Sequence, residues 1–272
     1  MIHLKPSAGL CNRMRAIDSA LALARSLDTR LDIYWVRDHN LNCPFRRLFE
    51  PIKDPRVLLF DRSIRPLRFV PTYRYLYKFF RFIGTNSYAF STRENERLTA
   101  MGFSSGFAKS LTIESFARFY PNASAFSDFK PADEIADRVT ARIASFDQHT
   151  MGVHVRRTDN LKSIIRSPDH AFIAQMRDEI TAEPLTRFYL ATDSRKVKET
   201  FTGVFGERII TTAFDASRNT IKGVQEALVE LYTLASTRKI IGSYWSSYST
   251  TAAELGKIPL MRITTDLTAN NP

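Results

Sequence analysis

Cysteine and long apolar runs are scarce in this chain of 272 residues. The two cysteines, Cys11 and Cys43, are too few for a disulfide framework or a cysteine zinc cluster, and they favour a reducing, cytoplasmic setting. No apolar run approaches the roughly 20 residues of a membrane-spanning helix, and residues 1–6 lack the apolar segment of a signal peptide. The composition therefore predicts a cytoplasmic globular protein.

Three signatures of nucleotide or metal chemistry are also missing. Neither G-x-G-x-x-G nor G-x-x-x-x-G-K-[ST] occurs, which argues against a dinucleotide-dependent oxidoreductase and a P-loop kinase. No two aspartates stand in D-x-D spacing, and the histidines, at positions 3, 39, 149, 154 and 170, show no ligand spacing. We therefore expect no bound metal.

Positive charge is abundant, with a formal net charge of +11 at pH 7. Such a charge implies an anionic partner, and nucleic acid, an anionic membrane face and a phosphorylated small molecule all fit. The segment Ser63–Gly84 interleaves basic and aromatic residues, a pattern seen in single-strand binders and in membrane-surface helices. The favoured interpretation is a helix with aromatics in the core and arginines in solvent. Peripheral membrane contact is the leading alternative.

The spacing of apolar residues predicts an α/β protein with two Rossmann-like domains, residues 1–130 and 131–272. The first opens with a strand at 2–6, a loop, a helix from Arg13 to Leu27 with Asn12 as its N-cap, and a strand at 31–36. In the second, strands and helices alternate, which is typical of a doubly wound parallel sheet. Its predicted strands are 150–155, 187–192, 207–211, 239–242 and 258–263, and its predicted helices are 131–146, 168–182, 194–203, 220–236 and one ending at Leu255.

Polar residues follow three of these strands at the point where each strand ends. Arg156, Arg157 and Asp159 follow the first, Asp193 follows the second, and the hydroxyl-rich turn 243–251 follows a third. Ligands of open parallel sheets bind at the carboxyl ends of the strands, arginines bind phosphate, and a helix N-terminus offers N–H groups to anions. We therefore predict a nucleotide-diphosphate site in which an arginine neutralises the leaving group without a metal.

Each of these residues also has a structural alternative. The arginines and Asp159 would form an ion pair at a strand end, while Asp193 and the serines would cap the helices that follow them. The coincidence of all three groups on one edge of the sheet favours a ligand site.

Four ordered motifs carry a resemblance to a known family. The residues His154–Asp159 (H-V-R-R-T-D) resemble the H-x-R-R-x-D motif of α-1,6-fucosyltransferases, the core-fucosylating and rhizobial nodulation enzymes. The similarity continues through Tyr189–Asp193, through Asn219–Val224 leading to Glu230, and through Gly242–Ala252. A weaker motif, Ala8–Arg13, is similar to the first loop of protein O-fucosyltransferases. The strong resemblance covers about 150–256.

This resemblance implies a GT-B glycosyltransferase with two domains facing a cleft. It would take GDP-fucose, invert the anomeric centre and need no metal or other cofactor. The domain 1–130 would lie on the acceptor side, and 131–272 would bind the donor. Arg157 would contact the diphosphate, Arg156 and His154 would shape the loop, and Asp159 would orient an arginine. The other implied donor-binding residues are Asp193 and Glu230 at the nucleoside, Ser246, Ser247, Tyr248 and Ser249 at the diphosphate and guanosine, and Gly9, Asn12 and Arg13 across the cleft.

The acceptor side departs from the family pattern. Asn160 and Ile164 stand where core-fucosylating members have a lysine and the acid proposed as general base. The base is therefore not transferable, and the candidates are Asp18, Asp38 and Asp169. The expected acceptor is a surface polysaccharide, a lipopolysaccharide or a Nod-factor-like oligosaccharide, free or lipid-linked.

Other functions remain open on the sequence. The same fold with another GDP-hexose as donor is the nearest alternative, and a catalytically inactive carbohydrate-binding protein is another. A basic nucleic-acid-binding protein is the alternative from a different class. We expect no nucleic-acid partner, because the best-organised charges are isolated groups at strand ends rather than a stripe.

Overall fold

The computed structural model describes residues 1–61, 86–90, 111–158, 161–213 and 217–265. The chain divides into two compact units: unit 1 comprises Met1–Asp133 with Ser217–Gln225, and unit 2 comprises Glu134–Ala216 with Glu226–Pro272. Three features named above lie outside the described residues: Asp159, Asn160 and the whole basic aromatic segment at 63–84.

Within its described residues, unit 1 contains a parallel five-stranded sheet in the order β3-β2-β1-β5-β4. Its central strand β1 is the almost fully buried first strand of the sequence, and helix α1 follows it directly. The elements are β1 (Ile2–Pro6), α1 (Leu10–Ser26), β2 (Leu31–Tyr34), β3 (Val57–Phe60), β4 (Asn86–Phe90) and β5 (Leu111–Ser115).

Helix α1 begins earlier than the sequence predicts. Its N-cap is Gly9 rather than Asn12, and its first turn already buries Leu10 and Cys11. The apolar face of the helix therefore extends to Leu10, and the predicted start at Arg13 is wrong by one turn.

Unit 2 contains the predicted parallel sheet, in the order β10-β9-β6-β7-β8. Its strands are β6 (Thr150–Val155), β7 (Arg187–Thr192), β8 (Ile209–Ile210), β9 (Ile240–Ser243) and β10 (Leu260–Ile263). Its helices are α2 (Asp133–Ile143), α3 (Leu161–Arg166), α4 (Asp169–Ala182), α5 (Arg195–Phe205), α6 (Ile221–Ala235, which begins in unit 1) and α7 (Ser247–Gly256). Helix α3 was not predicted, and β8 is shorter than the predicted strand 207–211 because Gly206–Arg208 is a 3₁₀ turn.

The two faces of the central strand β6 are covered by different helices. Met151, Val153 and Val155 join one core cluster with residues of α4 and α5, among them Phe172 and Phe201. On the opposite face Gly152 approaches α6 so closely that an added Cβ would lie 2.9 Å from both Leu234 Cδ2 and Thr237 Oγ1. The sheet is therefore doubly wound, as predicted.

The strand order reverses at β6. The chain runs outward from β6 through β7 to β8, and it then returns to place β9 on the other side of β6. The loops that follow β6 and β9 are consequently neighbours at the carboxyl edge of the sheet, which is where open α/β sheets bind their ligands.

Among the helices that the structure describes, none has the length and apolarity to cross a membrane.

Candidate active site at the carboxyl edge of the second sheet

The loops after β6 and β9 are joined by hydrogen bonds through one serine. The Arg156 backbone N–H donates to Ser243 Oγ at 3.0 Å, and that hydroxyl donates to the His154 carbonyl at 3.3 Å. Ser243 is fully buried. Ser243 thus joins β9 to the end of β6 at the point where the strand order reverses, and it fixes the backbone that carries Arg156.

Asp193, at the end of β7, organises the loop after β6. Its carboxylate accepts hydrogen bonds from the Arg157 backbone N–H at 2.7 Å and from the Thr158 hydroxyl at 2.6 Å. Asp193 does not cap helix α5, because that N-cap is Ser194, whose side chain accepts from Val197 N–H. Its observed contacts are within the protein, and its expected contact with a nucleoside remains a prediction.

The guanidinium of Arg157 is occupied by the protein itself. It donates to Asp169 through Nε (2.9 Å) and Nη2, to the Arg156 carbonyl at 2.7 Å and to the Ser167 carbonyl at 2.7 Å, and it lies 5.9 Å from the centroid of the Phe172 ring. These four hydrogen bonds use most of its five N–H groups. The geometry therefore argues against the expectation that Arg157 clamps a diphosphate.

Arg156 has a different environment. Its Nε lies 3.6 Å from Asp193 Oδ2, a long ion pair, and its side chain is 19% exposed. This described ion pair is longer than the contacts that hold Arg157, and Arg156 is joined through its backbone to Ser243 at the end of β9. Of the two neighbouring arginines, Arg156 is the better candidate for contact with phosphate.

His154 is an uncharged side chain beneath these loops. It is buried, its ring stacks on Tyr248 at 4.8 Å, and burial, helped by the charge of Arg156, lowers its pKa to about 3. Within the described part of the chain, its Nδ1 has no hydrogen-bond partner. The Tyr248 hydroxyl donates to the Ala227 carbonyl and so links α7 to α6. Tyr248 thus positions His154, and its hydroxyl already has a partner in the protein.

The turn after β9 leads into α7 through a strained residue. Trp245 has φ of 54°, a left-handed conformation that costs a non-glycine residue roughly 1–3 kcal/mol. The next residue, Ser246, is the N-cap of α7, and its side chain makes no capping hydrogen bond among the residues that the structure describes. The first turn of α7, which begins at Ser247, therefore keeps backbone N–H groups that can bind an anion.

Ser249 does not fit its expected role in donor binding. It is fully buried against β9, where a Cβ at Gly242 would lie 2.7 Å from the Ser249 Cβ, and its hydroxyl donates to the Ser246 carbonyl at 3.4 Å. Ser249 is a packing residue because only a small side chain fits between α7 and β9 here.

Glu230 is a buried carboxyl group on α6. Burial raises its pKa to about 8, while the nearby Lys198 lowers it and the charges of Glu226 and Asp193 add to the increase. The group is consequently protonated over most of the physiological range. A buried carboxyl with a perturbed pKa close to strand-end residues is typical of a functional site.

The site residues expected in unit 1 have internal roles there. Arg13 is fully buried, donates to the carbonyls of Ala8 (2.8 Å) and Val36, pairs with Asp38 at 2.9 Å, and lies 5.2 Å from the Trp35 ring centroid. It ties the loop after β1 to the loop after β2. Its expected place opposite a donor therefore conflicts with its full burial.

Gly9 and Asn12 belong to the first loop and turn of α1. Gly9 has an ordinary extended backbone, and a Cβ added to it would meet no atom of the described chain within 4 Å. Asn12 is half-buried. Neither packing nor backbone strain requires glycine at position 9, so a close approach of another molecule remains a valid reason for it.

Asp18 and Asp38 have both carboxylate oxygens occupied. Asp18 is fully buried and accepts from Arg118, from Asn122 at 2.8 Å and from the Phe126 N–H at 2.7 Å, while Asp38 pairs with Arg13 and accepts from the N–H groups of its own turn. Asp169 binds Arg157 through Oδ1. Its side chain is 39% exposed against 33% for Asp38, so Asp169 is the most accessible of the three.

Sequence reasoning missed Ser167. Its hydroxyl donates to the Ile263 carbonyl at 2.6 Å and accepts from the Tyr244 N–H at 2.8 Å, while its carbonyl accepts from Arg157. It therefore links the loop after β6 to the loop after β9.

Over the residues that the structure describes, no group of three or more His, Cys, Asp or Glu side chains is arranged to hold a metal ion.

Known structures share this architecture over nearly the whole chain, and the GT-B-like fold class is confirmed. The α-1,6-fucosyltransferase NodZ soaked with GDP-fucose is similar with a TM-score of 0.69 and 21% identity, covering 98% of this chain and 95% of that one. A crystal of the Bradyrhizobium NodZ gives the same values.

More distant structures have the same fold. A mutant of FUT1 from Arabidopsis thaliana in complex with GDP has a TM-score of 0.62 at 15% identity, covering 99% of this chain and 72% of that one. The apo form of POFUT1 has a TM-score of 0.60 at 11% identity, covering 96% and 97%. No protein-family model and no curated protein sequence matches the chain. The resemblance to fucosyltransferases drawn from the motifs is thus confirmed as a likeness of fold.

Proposed function

We propose that this chain is an inverting fucosyltransferase that moves fucose from GDP-fucose to a glycan hydroxyl. The observation that carries the proposal is the convergence of Arg156, Asp193 and the start of α7 on one edge of the unit 2 sheet. The fold supports it, because the similar NodZ structure was soaked with GDP-fucose and the similar FUT1 structure is a complex with GDP.

Arg156 is the group that we assign to the diphosphate. In the reaction the acceptor oxygen forms a bond to C1 of fucose while the bond from C1 to the phosphate oxygen breaks, and GDP leaves with that electron pair. Arg156 and the N–H groups at the start of α7 would stabilise the charge that develops on GDP. This fixed positive charge would make a metal unnecessary.

The remaining donor contacts follow from the same edge. Glu230 would accept hydrogen bonds from the base or ribose through its carboxyl oxygens. Arg157 and Asp193 would hold the loop that carries Arg156. The acceptor proton would pass to a carboxylate, of which Asp169 is the most accessible candidate.

A ligand screen tests the donor assignment. GDP and GDP-fucose should raise the melting temperature, and UDP and ADP should not, because only a ligand that binds the folded state stabilises it. Release of GDP together with fucosylated product, detected by mass spectrometry with a panel of oligosaccharide acceptors, would establish transfer. Stabilisation by UDP equal to that by GDP would contradict the proposal.

The nearest alternative keeps the fold and changes the sugar. Competition between GDP-fucose, GDP-mannose and free GDP for the same site distinguishes the two, since a donor site for fucose should lose affinity for the larger hexose. The other alternative is a catalytically inactive carbohydrate-binding protein. Such a protein would bind GDP but would not hydrolyse GDP-fucose when no acceptor is present.

We also propose that the acceptor is a surface polysaccharide, lipopolysaccharide or Nod-factor-like oligosaccharide, with residues 1–130 on the acceptor side. The reaction would take place in the cytoplasm, which suits two buried cysteines that form no disulfide among the described residues. Contact with the inner membrane face would bring the enzyme to a lipid-linked acceptor. Cell fractionation followed by a salt wash tests that contact, which ionic strength should weaken.

A further inference from the structure

Two aromatic rings and two cations form a layered cluster where β9 ends. Lys162 Nζ lies 5.2 Å from the centroid of the Trp245 ring, and the Arg166 guanidinium carbon lies 5.0 Å from that of Tyr244. The two ring centroids are 6.0 Å apart. Lys162 and Arg166 are one helical turn apart on α3, so they lie on one face of that helix. We call these four residues the cation–aromatic cluster.

The cluster is exposed and yet held in place. Trp245 is 58% exposed, which is a large apolar surface for one side chain, and its left-handed backbone is strained. The preceding residue is fixed by the hydrogen bond from Tyr244 N–H to Ser167 Oγ at 2.8 Å. Strain of this kind persists where surrounding contacts enforce it, and it is concentrated at functional sites. The ring is therefore presented to solvent in a fixed orientation.

The charge of the cluster selects among ligands. Among the residues that the structure describes, no acidic side chain forms an ion pair with Lys162 or Arg166. An indole face offers a flat apolar surface that fits the C–H face of a sugar ring, and the two cations attract a negative group on the same ligand. A saccharide with a carboxylate or phosphate satisfies both features.

The position of the cluster connects it with the donor. Trp245 directly precedes Ser246, the N-cap of the helix that we assign to the donor diphosphate. Glycosyl transfer requires the acceptor to lie beside the donor in a fixed geometry. We propose that the cation–aromatic cluster is part of the acceptor site and takes a saccharide that carries negative charge. This inference rests on the proposed function.

The two tryptophans of the chain allow a direct test. Trp35 is 1% exposed and Trp245 is 58% exposed, so acrylamide should quench mainly Trp245. The full-length protein, saturated with GDP, is first applied to an array of acidic and neutral oligosaccharides. The acidic glycan that binds best is then titrated in the quenching assay, beside the same glycan with its acidic groups esterified.

We expect acidic glycans to be retained and to protect Trp245 from acrylamide in a saturable way, with the esterified form about tenfold weaker. Trp245→Asn should abolish the retention, and asparagine tolerates the left-handed backbone, so the variant should fold. The double variant Lys162→Gln, Arg166→Gln should weaken binding about tenfold or more. Leu185→Asn, which changes an exposed apolar residue at the other edge of the sheet, is the matched control and should bind like the wild type.

The same measurements can overturn the inference. Equal retention of neutral glycans, absence of any bound glycan, or unchanged binding by Trp245→Asn each contradicts it. Vesicles of phosphatidylglycerol that protect Trp245 when no acidic glycan does would identify a membrane contact instead. GDP affinity of the Lys162→Gln, Arg166→Gln double variant and of Leu185→Asn should stay unchanged, so failure of the glycan arm alone rejects only the acceptor site. A wild type that does not bind GDP rejects the proposed function, and the acceptor site with it.

Discussion

The two adjacent arginines should respond to mutation in opposite ways. Arg157→Ala removes four hydrogen bonds of a mostly buried guanidinium and leaves the partly exposed Asp169 without its cation. The two carbonyls left unsatisfied should account for most of a stability cost of about 2–4 kcal/mol, because the pair with an exposed carboxylate adds little. At about 2–4 °C per kcal/mol for a chain of this size, the melting temperature should fall by roughly 5–15 °C.

Arg156→Ala should lower stability less than Arg157→Ala does, and it should weaken GDP binding. Its described ion pair with Asp193 is long and partly exposed, so the loss of that pair should cost less than about 1 kcal/mol. A lost charge-assisted contact of about 1.5–3 kcal/mol raises the Kd roughly 10- to 150-fold. Urea unfolding and isothermal titration with GDP, carried out on both variants, measure the two effects separately.

Arg156→Lys and Arg157→Lys serve as matched controls that keep the charge. Lysine at 157 cannot supply four directed hydrogen bonds, so stability should be only partly restored. A wild-type melting temperature for Arg157→Ala, combined with a greater loss of GDP affinity than in Arg156→Ala, would refute our assignment of the two roles.

Three further outcomes are expected. Glu230→Gln should flatten the dependence of stability on pH. The folded wild type holds an extra proton between about pH 4.5 and 8, so it loses stability as the pH rises through that range. Urea unfolding at several pH values measures this, and an equal pH dependence in both proteins would contradict it. Gly242→Ala should unfold at a lower temperature than Gly9→Ala in calorimetry, because a new Cβ meets Ser249 in the first case and open space in the second. An excess of EDTA should leave the initial rate of fucosyl transfer unchanged, and a loss that Mg²⁺ or Mn²⁺ restores would show that the reaction needs a metal.

The sheet of unit 2 could be predicted because its strands are short apolar runs separated by helical spacing. Parallel order, both covered faces and the meeting of strand ends at one edge all follow from that alternation. Helix α3 escaped notice because six residues are too few to show a periodicity, and Leu161 and Ile165 are exposed. Short elements are stabilised by tertiary contacts, which local sequence does not reveal.

The roles of individual side chains were harder to predict than their positions. His154, Arg156 and Asp193 lie at the predicted edge, yet the sequence alone could not show which arginine Asp169 would neutralise. Ser167 is hydrogen-bonded to Tyr244 and Ile263, both of which are far from it in the sequence. A single sequence carries no signal for such contacts, because a buried serine resembles any other serine before a proline.

Gly152 affects the position of a residue of the proposed nucleotide site without belonging to that site. It lets α6 approach the central strand at Leu234, which lies one turn beyond Glu230 on the same helix. Because protein interiors are close-packed, a single methyl group at position 152 would have to move that helix and its carboxyl group. Packing at position 152 therefore reaches the Glu230 carboxyl through the helix, so the proposed nucleotide site could be altered without changing any residue in it.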